Sequence, residues 1–277
     1  MKRLTVASVF LAAVVLAAAC GSDGDSEVAD TQEDVVHVHD LLVRDDDTML
    51  AATHLGLHRV TDDGLELIGE GRHDLMAATL EGGTILASGH PDLRDDSLRV
   101  EDRSPLLGIV ESTDGETWTE RSLLGEADFH RLVFADETLF GANSSDDAVW
   151  VSQDGGATWE PRGGAAQLVA MAVNPADSTE LIGVDLDRGL VRSNDGGDSW
   201  TEAPGPELAD LEWTSDGLIG LDEQGAVHRF EGEAWMPVVE LPDVVALGTR
   251  GNELFALQLP STVHRSTDGG ETWRKFP

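Results

Sequence analysis

The stretch SQDGGATW, residues Ser152–Trp159, decides the fold of this chain, because the chain repeats it. It returns as SNDGGDSW at Ser193–Trp200 and as STDGGETW at Ser266–Trp273, and a copy one residue shorter, STDGETW, occupies Ser112–Trp118. We call these four copies the repeated turns. Eroded copies lie at Thr61–Gly64 and Arg229–Trp235. Self-similarity at a spacing of about 40 residues is typical of stacked structural repeats.

The repeated turn has the chemistry of a tight connection between two strands. Its aspartate can accept hydrogen bonds from backbone amides two residues on, and its glycines tolerate positive φ. The segments before the turns, such as Ala148–Val151 and Gly189–Arg192, alternate or run apolar, which predicts strands. The tryptophan that follows each turn is a large apolar side chain that can pack against the neighbouring repeat.

The repeated turn resembles the Asp-box, or BNR repeat, of sialidases, sortilin-like receptors and photosystem assembly-factor propellers. In those families the motif joins the third and fourth strands of a propeller blade, on the face away from the sialidase active site. The resemblance therefore implies a structural role for eight residues, which are Asp114, Trp118, Asp154, Trp159, Asp195, Trp200, Asp268 and Trp273.

The spacing of the intact and eroded copies predicts an all-β, six-bladed β-propeller over residues 35–277. Each interval has room for four strands of about 5–6 residues with their turns, and six blades fall within the known range. The expected blades are Val36–Gly69, His73–Leu124, Phe129–Arg162, Gln167–Ala203, Ala209–Glu240 and Asp243–Pro277. Since the chain should begin on an inner strand and end on an outer one, we expect the ring to close without strand exchange.

The amino terminus has the pattern of an export signal. Met1-Lys2-Arg3 precedes an apolar run that ends in small residues, which predicts a signal peptide at residues 1–19. The segment Leu16–Cys20 resembles a bacterial lipobox and implies cleavage before Cys20, lipid attachment to its sulfur and anchoring at the outer face of the cytoplasmic membrane. The alternative is an ordinary signal followed by a stray cysteine. Residues 20–34, rich in Ser, Asp, Glu and Gly, are then expected to be a disordered tether.

The charge of the chain limits its partners. There are 53 acidic residues against 18 basic ones, a formal net charge of −35. Such a surface repels nucleic acid and anionic lipid headgroups and attracts cations. We therefore expect no nucleic-acid partner, and most of the charge is explained by solubility or by adaptation to salt.

The sialidase mechanism is excluded by composition. Sialidases use a tyrosine nucleophile, and this chain contains no tyrosine. The segments His37–Leu41, Ala87–Asp95 and Leu123–His130 resemble a group of bacterial lipoproteins loosely catalogued as glycosyl hydrolases with BNR repeats. That resemblance brings no mechanism with it.

Histidines recur near the inner strands of the first three blades. His39, His73 and His130 take the same slot at the start of strand one when the blades are aligned by sequence, and His54 and His90 follow strand two. Both places lie on one face of an up-and-down blade, as does the insertion from His90 to Ser104. The predicted ligand-binding set around one half of the channel mouth is therefore His39, His54, His73, His90, Asp92, Arg94 and His130.

Three interpretations of this set stay open at the sequence level. His39, His73 and His130 could hold a divalent metal ion, since imidazole nitrogen and carboxylate oxygen are its ligands. Asp74, His90 and Asp92 could serve acid–base catalysis in a glycoside hydrolase without a tyrosine. The histidines could also simply cap strand ends.

The sequence thus favours a lipid-anchored binding module for a ligand, a metal ion or a protein, with a glycoside hydrolase as the alternative. An assembly factor that offers only surface is a third possibility. Fold alone does not decide among them.

Overall fold

The computed structural model describes residues 37–277, which form six four-stranded antiparallel sheets and no helix. Each sheet consists of four consecutive strands. The first strands of successive sheets, β1, β5, β9, β13, β17 and β21, contact one another in order, and β21 contacts β1. The predicted six-bladed propeller is confirmed, and the ring closes without strand exchange because no sheet borrows a strand from the other end of the chain.

The strand bounds agree with the expected blades. Blades 1 and 2 contain β1 Val38–Val43, β2 Met49–Thr53, β3 Gly56–Thr61, β4 Gly64–Leu67, β5 Asp74–Glu81, β6 Thr84–His90, β7 Ile109–Ser112 and β8 Thr119–Ser122. Blades 3 and 4 contain β9 Phe129–Ala135, β10 Thr138–Asn143, β11 Ala148–Ser152, β12 Glu160–Ala165, β13 Leu168–Val173, β14 Leu181–Asp185, β15 Gly189–Ser193 and β16 Thr201–Glu202. Blades 5 and 6 contain β17 Asp210–Thr214, β18 Gly217–Leu221, β19 Ala226–Phe230, β20 Trp235–Glu240, β21 Val244–Arg250, β22 Glu253–Gln258, β23 Thr262–Ser266 and β24 Arg274–Lys275.

The export signal (1–19), Cys20 and the tether (20–34) lie outside the described residues, so they stay predictions. Between residues 37 and 277 no helix is long and apolar enough to cross a membrane.

The repeated turns connect strands three and four, and each joins its blade to the preceding one. In the turn after β11, the Ser152 hydroxyl accepts the Gly156 N–H at 2.8 Å. Asp154 Oδ1 accepts the N–H groups three and four residues on, at 3.1 and 2.8 Å, so its reach is longer than the two residues expected from sequence. The Trp159 indole N–H donates to Ser122 of blade 2 at 3.2 Å, which confirms the packing against a neighbouring blade.

Five of the six inner strands carry a one-residue bulge close to their start. The pairing with strand two skips one position in each case, and the skipped residues are His39, Met76, His130, Val169 and Val245. A bulge leaves one residue without a ladder partner and re-aims its side chain. These five residues therefore occupy equivalent places around the channel.

Candidate functional site

A cavity of about 870 Å³ lies at the mouth of the channel, and all five bulge residues line it. The mouth has two different sides. His39 and His130 stand on the side of blades 1 and 3, with His37 beside His39. The other side is mixed: Val169, Leu186 and Val245 lie there, with Leu186 66 % exposed, together with charged residues such as Asp187, Arg188 and Glu207.

From the imidazole side of the mouth, alternating imidazoles and carboxylates run across three blades. His39 Nε2 lies 3.6 Å from Asp74 Oδ1, and Asp74 Oδ2 lies 3.4 Å from His90 Nδ1. His90 Nε2 lies 3.7 Å from Asp128 Oδ2, which in turn lies 3.1 Å from His130 Nε2. We call these five residues the imidazole–carboxylate row. The row reaches the cavity at its two ends, His39 and His130.

The backbone around Gly89 places the middle of the row. Asp74 and His90 are directly paired at the start of β5 and the end of β6. Gly89 has φ of +131°, and a β-carbon there would lie 2.1 Å from the Asp74 carbonyl oxygen. Only glycine permits both this backbone conformation and this close approach.

Asp128 is held from blade 3. Its N–H donates to the Asn143 side-chain oxygen at 2.9 Å, and its Oδ2 accepts the Ser144 hydroxyl at 2.7 Å. The carboxylate is buried at the junction between blades 2 and 3. Its position in the row therefore depends on two side chains at the end of β10, the last residue of the strand and the one after it.

Three buried polar atoms of the row have no hydrogen-bond partner in the protein. They are His39 Nε2, Asp74 Oδ1 and Asp128 Oδ1. Buried polar groups are nearly always paired, and leaving one unpaired costs about 1–3 kcal/mol. Two of these atoms, His39 Nε2 and Asp74 Oδ1, face each other at 3.6 Å. A ligand in the cavity would therefore meet the imidazoles of His39 and His130, with the carboxylates behind them.

The protonation states within the row are set by its neighbours. Burial alone would raise the pKa of Asp74, but hydrogen bonding to His39 and His90 outweighs it and holds that pKa well below its ordinary value. Burial alone would also raise the pKa of Asp128, but hydrogen bonds from His130 and Ser144 outweigh it and lower that pKa. The bond to Asp74 raises the pKa of His90 above its usual range. Both carboxylates are therefore ionised at neutral pH, and His90 is the group most readily protonated.

Four residues of the predicted ligand-binding set lie outside the row. His54 Nδ1 accepts the His37 N–H at 3.1 Å, at the edge of the cavity. His73 is buried and its Nδ1 accepts the Asp92 N–H at 3.0 Å. Asp92 pairs with Arg94 through bonds of 2.9 and 2.5 Å and also accepts the Arg72 N–H.

The position of His73 follows from strand register. The residue of blade 2 that is equivalent to His39 and His130 is Met76, the bulge residue, three positions after His73. The sequence alignment of the three histidines therefore does not match the strand pairing, and the predicted metal trio of His39, His73 and His130 is not brought together. Within residues 37–277, no group of three or more His, Cys, Asp or Glu side chains is arranged to hold a metal ion.

Below the mouth, one arginine bridges two carboxylates from alternate blades. The buried guanidinium of Arg131, on blade 3, pairs with Asp40 of blade 1 and with Asp210 of blade 5. The two carboxylates also accept backbone N–H groups of the next blades, Asp40 from Ala78 and Asp210 from Leu247, both at 2.8 Å. We call Arg131, Asp40 and Asp210 the channel triad.

The sequence interpretation did not include the channel triad, although a signal was present. Each of its residues is a charged side chain that precedes a buried leucine of an inner strand, in Asp40-Leu41, Arg131-Leu132 and Asp210-Leu211. The same pattern occurs as Asp74-Leu75 in blade 2, whose aspartate lies outside the triad, so the strand pairing was needed to identify the three residues that meet.

Behind the triad lies a second cavity of about 190 Å³, lined by Glu212, Met171 and Thr249 among others. Burial and the nearby charge of Asp210 raise the pKa of Glu212 to about 8. Burial also raises the pKa of Asp40 to about 6, against the attraction of Arg131. The inner channel therefore holds more carboxylates than its single arginine can neutralise.

The Glu212→Gln variant is expected to remove a pH dependence of stability. Between about pH 4.5 and pH 8 the folded protein keeps a proton on Glu212 that the unfolded chain has released, so the free energy of unfolding falls as pH rises through this window. Glutamine carries no such charge. At pH 9 the variant should be more stable than the wild type by on the order of 1–3 kcal/mol, a discounted figure because Glu212 is only half-buried in the channel. At pH 4.5 the two should be equal.

Urea unfolding at several pH values measures this difference. Glu120→Gln, which removes an exposed carboxylate of β8, is the matched control and should follow the wild-type curve. If the free energies of unfolding of the wild type and of Glu212→Gln changed with pH in the same way, the raised pKa of Glu212 would be contradicted.

Comparisons with known proteins support the fold. No protein-family model and no curated protein sequence matches this chain. Among solved structures, the WD40 propeller domain of Doa1 aligns with a TM-score of 0.55 and 14 % identity over 87 % of this chain and 82 % of that one. A GH74 xyloglucanase from Xanthomonas campestris aligns with a TM-score of 0.52 and 18 % identity over 87 % of this chain. A catalytically inactive virginiamycin B lyase from Staphylococcus aureus with quinupristin aligns with a TM-score of 0.52 and 11 % identity over 89 % of this chain and 86 % of that one.

These similarities define the class of the fold, but neither a family nor an activity. The three sequence identities are all below 20 %, and this chain spans 38 % of the length of the xyloglucanase. The protein is a six-bladed propeller, and similar propellers are found both in binding modules and in glycoside hydrolases.

Proposed function

We propose that this protein is a binding module that takes a small organic ligand at the mouth of its channel. A lipid anchor at Cys20 holds the module at the outer face of the cytoplasmic membrane, with residues 20–34 as the tether. The ligand carries hydrogen-bond donors on one side and apolar surface on the other.

The observation that carries the proposal is the meeting of the imidazole–carboxylate row with the mouth cavity. The row reaches the cavity through His39 and His130, whose imidazoles have the ionised carboxylates of Asp74 and Asp128 behind them, and the cavity has a size that suits a small molecule. Amine or hydroxyl groups of a ligand can bond to these imidazoles, and the negative charge behind them favours such donors. The opposite wall of Val169, Leu186 and Val245 supports contact with apolar carbon.

The arrangement supports an organic ligand over a single metal ion. Donors and acceptors follow one another along three blades and do not converge on one point. A ligand with several polar groups matches this spread.

The protonation pattern favours binding over glycoside hydrolysis. A glycosidase that works through two carboxyl groups needs one of them protonated, with a raised pKa. Here Asp74 and Asp128 have lowered pKa values, and bonds to Arg94 lower that of Asp92 as well. No turnover of a panel of aryl glycosides is expected.

The Asp74→Asn variant tests the proposal. We expect ligands found by thermal shift in a library of small amines and polyols to bind the variant about 10- to 100-fold more weakly, because Asp74 carries the charge behind His39, which lines the cavity, and a charge-assisted hydrogen bond contributes about 1.5–3 kcal/mol. The pKa of His90, followed by NMR, should fall in the same variant, since the bond to Asp74 is what raises it.

Two further variants separate binding from folding. Asp96→Asn changes an exposed carboxylate of the β6–β7 connection and should leave both affinity and the His90 pKa unchanged. Leu186→Asp should weaken binding through the apolar wall without affecting His90. Ligands that bind Asp74→Asn and Leu186→Asp as tightly as the wild type would overturn the proposal.

A further inference from the structure

The repeated turns fill the interface between their own blade and the preceding one. In blade 4, a β-carbon at Gly197 would lie 3.2 Å from Val149 of blade 3. Gly270 of blade 6 lies in the same way against Ile219 of blade 5, and Gly156 of blade 3 lies against Ile109 of blade 2. The glycines of the turn thus permit close contact between blades.

Blades 1 and 5, which carry the eroded copies, lack this filling. In blade 5 the strands β19 and β20 close directly through a Phe230–Trp235 pair, and the Glu231 N–H donates to the Ala234 carbonyl at 2.9 Å. In blade 1 the strands β3 and β4 close through Thr61 and Gly64. These tight hairpins replace the longer turn that reaches the preceding blade.

A groove lies at each interface where the repeated turn is missing. Between blades 4 and 5 it measures about 670 Å³, and between blades 6 and 1 about 460 Å³. The two grooves are lined differently. The first contains Trp213, Phe230 and Trp235, whereas the second contains Phe276 together with the cationic side chains of Arg59 and Lys275.

The groove between blades 4 and 5 combines aromatic faces with excess negative charge. The Phe230 and Trp235 rings lie 5.4 Å apart, and both are half-buried, as is Trp213. Glu180, Glu202 and Glu233 line the same groove. Its one cation, Arg192, is already paired with Glu180 at 3.1 Å. Glu202 and Glu233 form no ion pair within the described part of the chain.

We propose that this groove binds an organic cation, such as a trimethylammonium group on an apolar body. Aromatic faces attract cations through their quadrupoles, and the attraction increases when the cation is desolvated. The two unpaired glutamates add electrostatic attraction. The groove between blades 6 and 1 fits such a ligand less well because it contains a single aromatic ring, Phe276, and two cationic side chains that offset its aspartates. This site is separate from the channel mouth and stands independently of the function proposed there.

Isothermal titration calorimetry of the full chain with acetylcholine as the probe tests the site. We expect saturable binding with one site per chain, and at least 10-fold weaker binding of 3,3-dimethylbutyl acetate, the neutral isostere. Glu202→Gln and Glu233→Gln should each weaken acetylcholine binding about 3- to 10-fold, and Trp235→Leu should weaken it further. Both glutamates are exposed, so these two variants keep the test valid if Trp235→Leu fails to fold.

The matched control is Glu120→Gln. Glu120 follows Trp118 and Thr119 as Glu202 follows Trp200 and Thr201, and it is exposed on β8. It should leave affinity unchanged. Equal weakening by Glu120→Gln would overturn the proposal, because attraction by the overall charge of the chain would then be sufficient. Equal binding of the neutral isostere, or absence of binding up to 10 mM probe, would overturn it as well. Acetylcholine and dihexanoylphosphatidylcholine share the trimethylammonium group, and the lipid is titrated below its micellar concentration. Tighter binding of the lipid indicates a lipid headgroup as the ligand, and tighter binding of acetylcholine indicates a free cation.

Discussion

Replacing Arg131 with methionine is expected to lower the free energy of unfolding by about 3–5 kcal/mol, because it leaves Asp40 and Asp210 as uncompensated buried charges. The guanidinium is the only cation that contacts these two carboxylates in the described ring, and it joins blades 1, 3 and 5 across the channel. Urea unfolding at pH 7, above the pKa of about 6 for Asp40 in the wild type, measures the loss.

Neutralising the carboxylates at the same time should restore most of this stability. In a triple variant with Arg131→Met, Asp40→Asn and Asp210→Asn, the asparagine oxygens can still accept the Ala78 and Leu247 N–H groups. Replacing a whole buried ionic cluster is often neutral, whereas breaking it is costly. Arg99→Met, which removes an ion pair between two exposed residues, Arg99 and Asp96, should cost less than about 1 kcal/mol. An Arg131→Met protein no less stable than Arg99→Met would contradict the role of the channel triad.

The second large effect is expected at Phe129, where alanine should cost about 3–5 kcal/mol. The ring is completely buried. It stacks on Trp159 at 4.7 Å between ring centres, meets Trp150 edge-on at 6.2 Å, and lies over Gly141, where a β-carbon would be 2.5 Å away. No other side chain can fill the space that this ring occupies between blades 2 and 3.

The Phe129→Ala variant should also weaken the site. Phe129 lies between Asp128 and His130, and its N–H donates to Ser88 of blade 2 at 3.0 Å. A shift of β9 into the cavity would lengthen the contacts of His90 with Asp128, and the pKa of His90 would move towards its ordinary value. Leu93→Ala, at a residue 69 % exposed, is the control and should stay within about 0.5 kcal/mol of the wild type. A Phe129→Ala protein as stable as Leu93→Ala would rule out this packing role.

The two grooves illustrate how a weakened repeat becomes a surface feature. At Ser112–Trp118, one residue short, the turn still places Gly115 against Leu57 of blade 1. At Arg229–Trp235 the serine and the aspartate are gone, the hairpin closes early, and the interface stays open. In both eroded copies the strands close without the longer turn, and the absence of that turn leaves the interface open.

The repeat itself was sufficient to determine the architecture. The turn is a local structure: Ser152, Asp154 and Gly156 bond to one another within five residues, so the hairpin forms wherever the motif occurs. Six such intervals, intact or eroded, set the number of blades, and the predicted ranges contain their four strands except in blade 3, where β12 continues three residues past Arg162 to Ala165. Local hydrogen bonding is readable from sequence because all the participants are neighbours in the chain.

The site required the tertiary structure, because its members are distant in sequence and their directions depend on strand pairing. The pairing of β5 with β6 decides that Met76, three residues after His73, takes the place equivalent to His39 and His130. Arg131 meets Asp40 and Asp210 across 91 and 79 residues. Register within a blade and closure of the ring are set by packing over the whole molecule, and a one-residue change in register turns a side chain from the channel into the core.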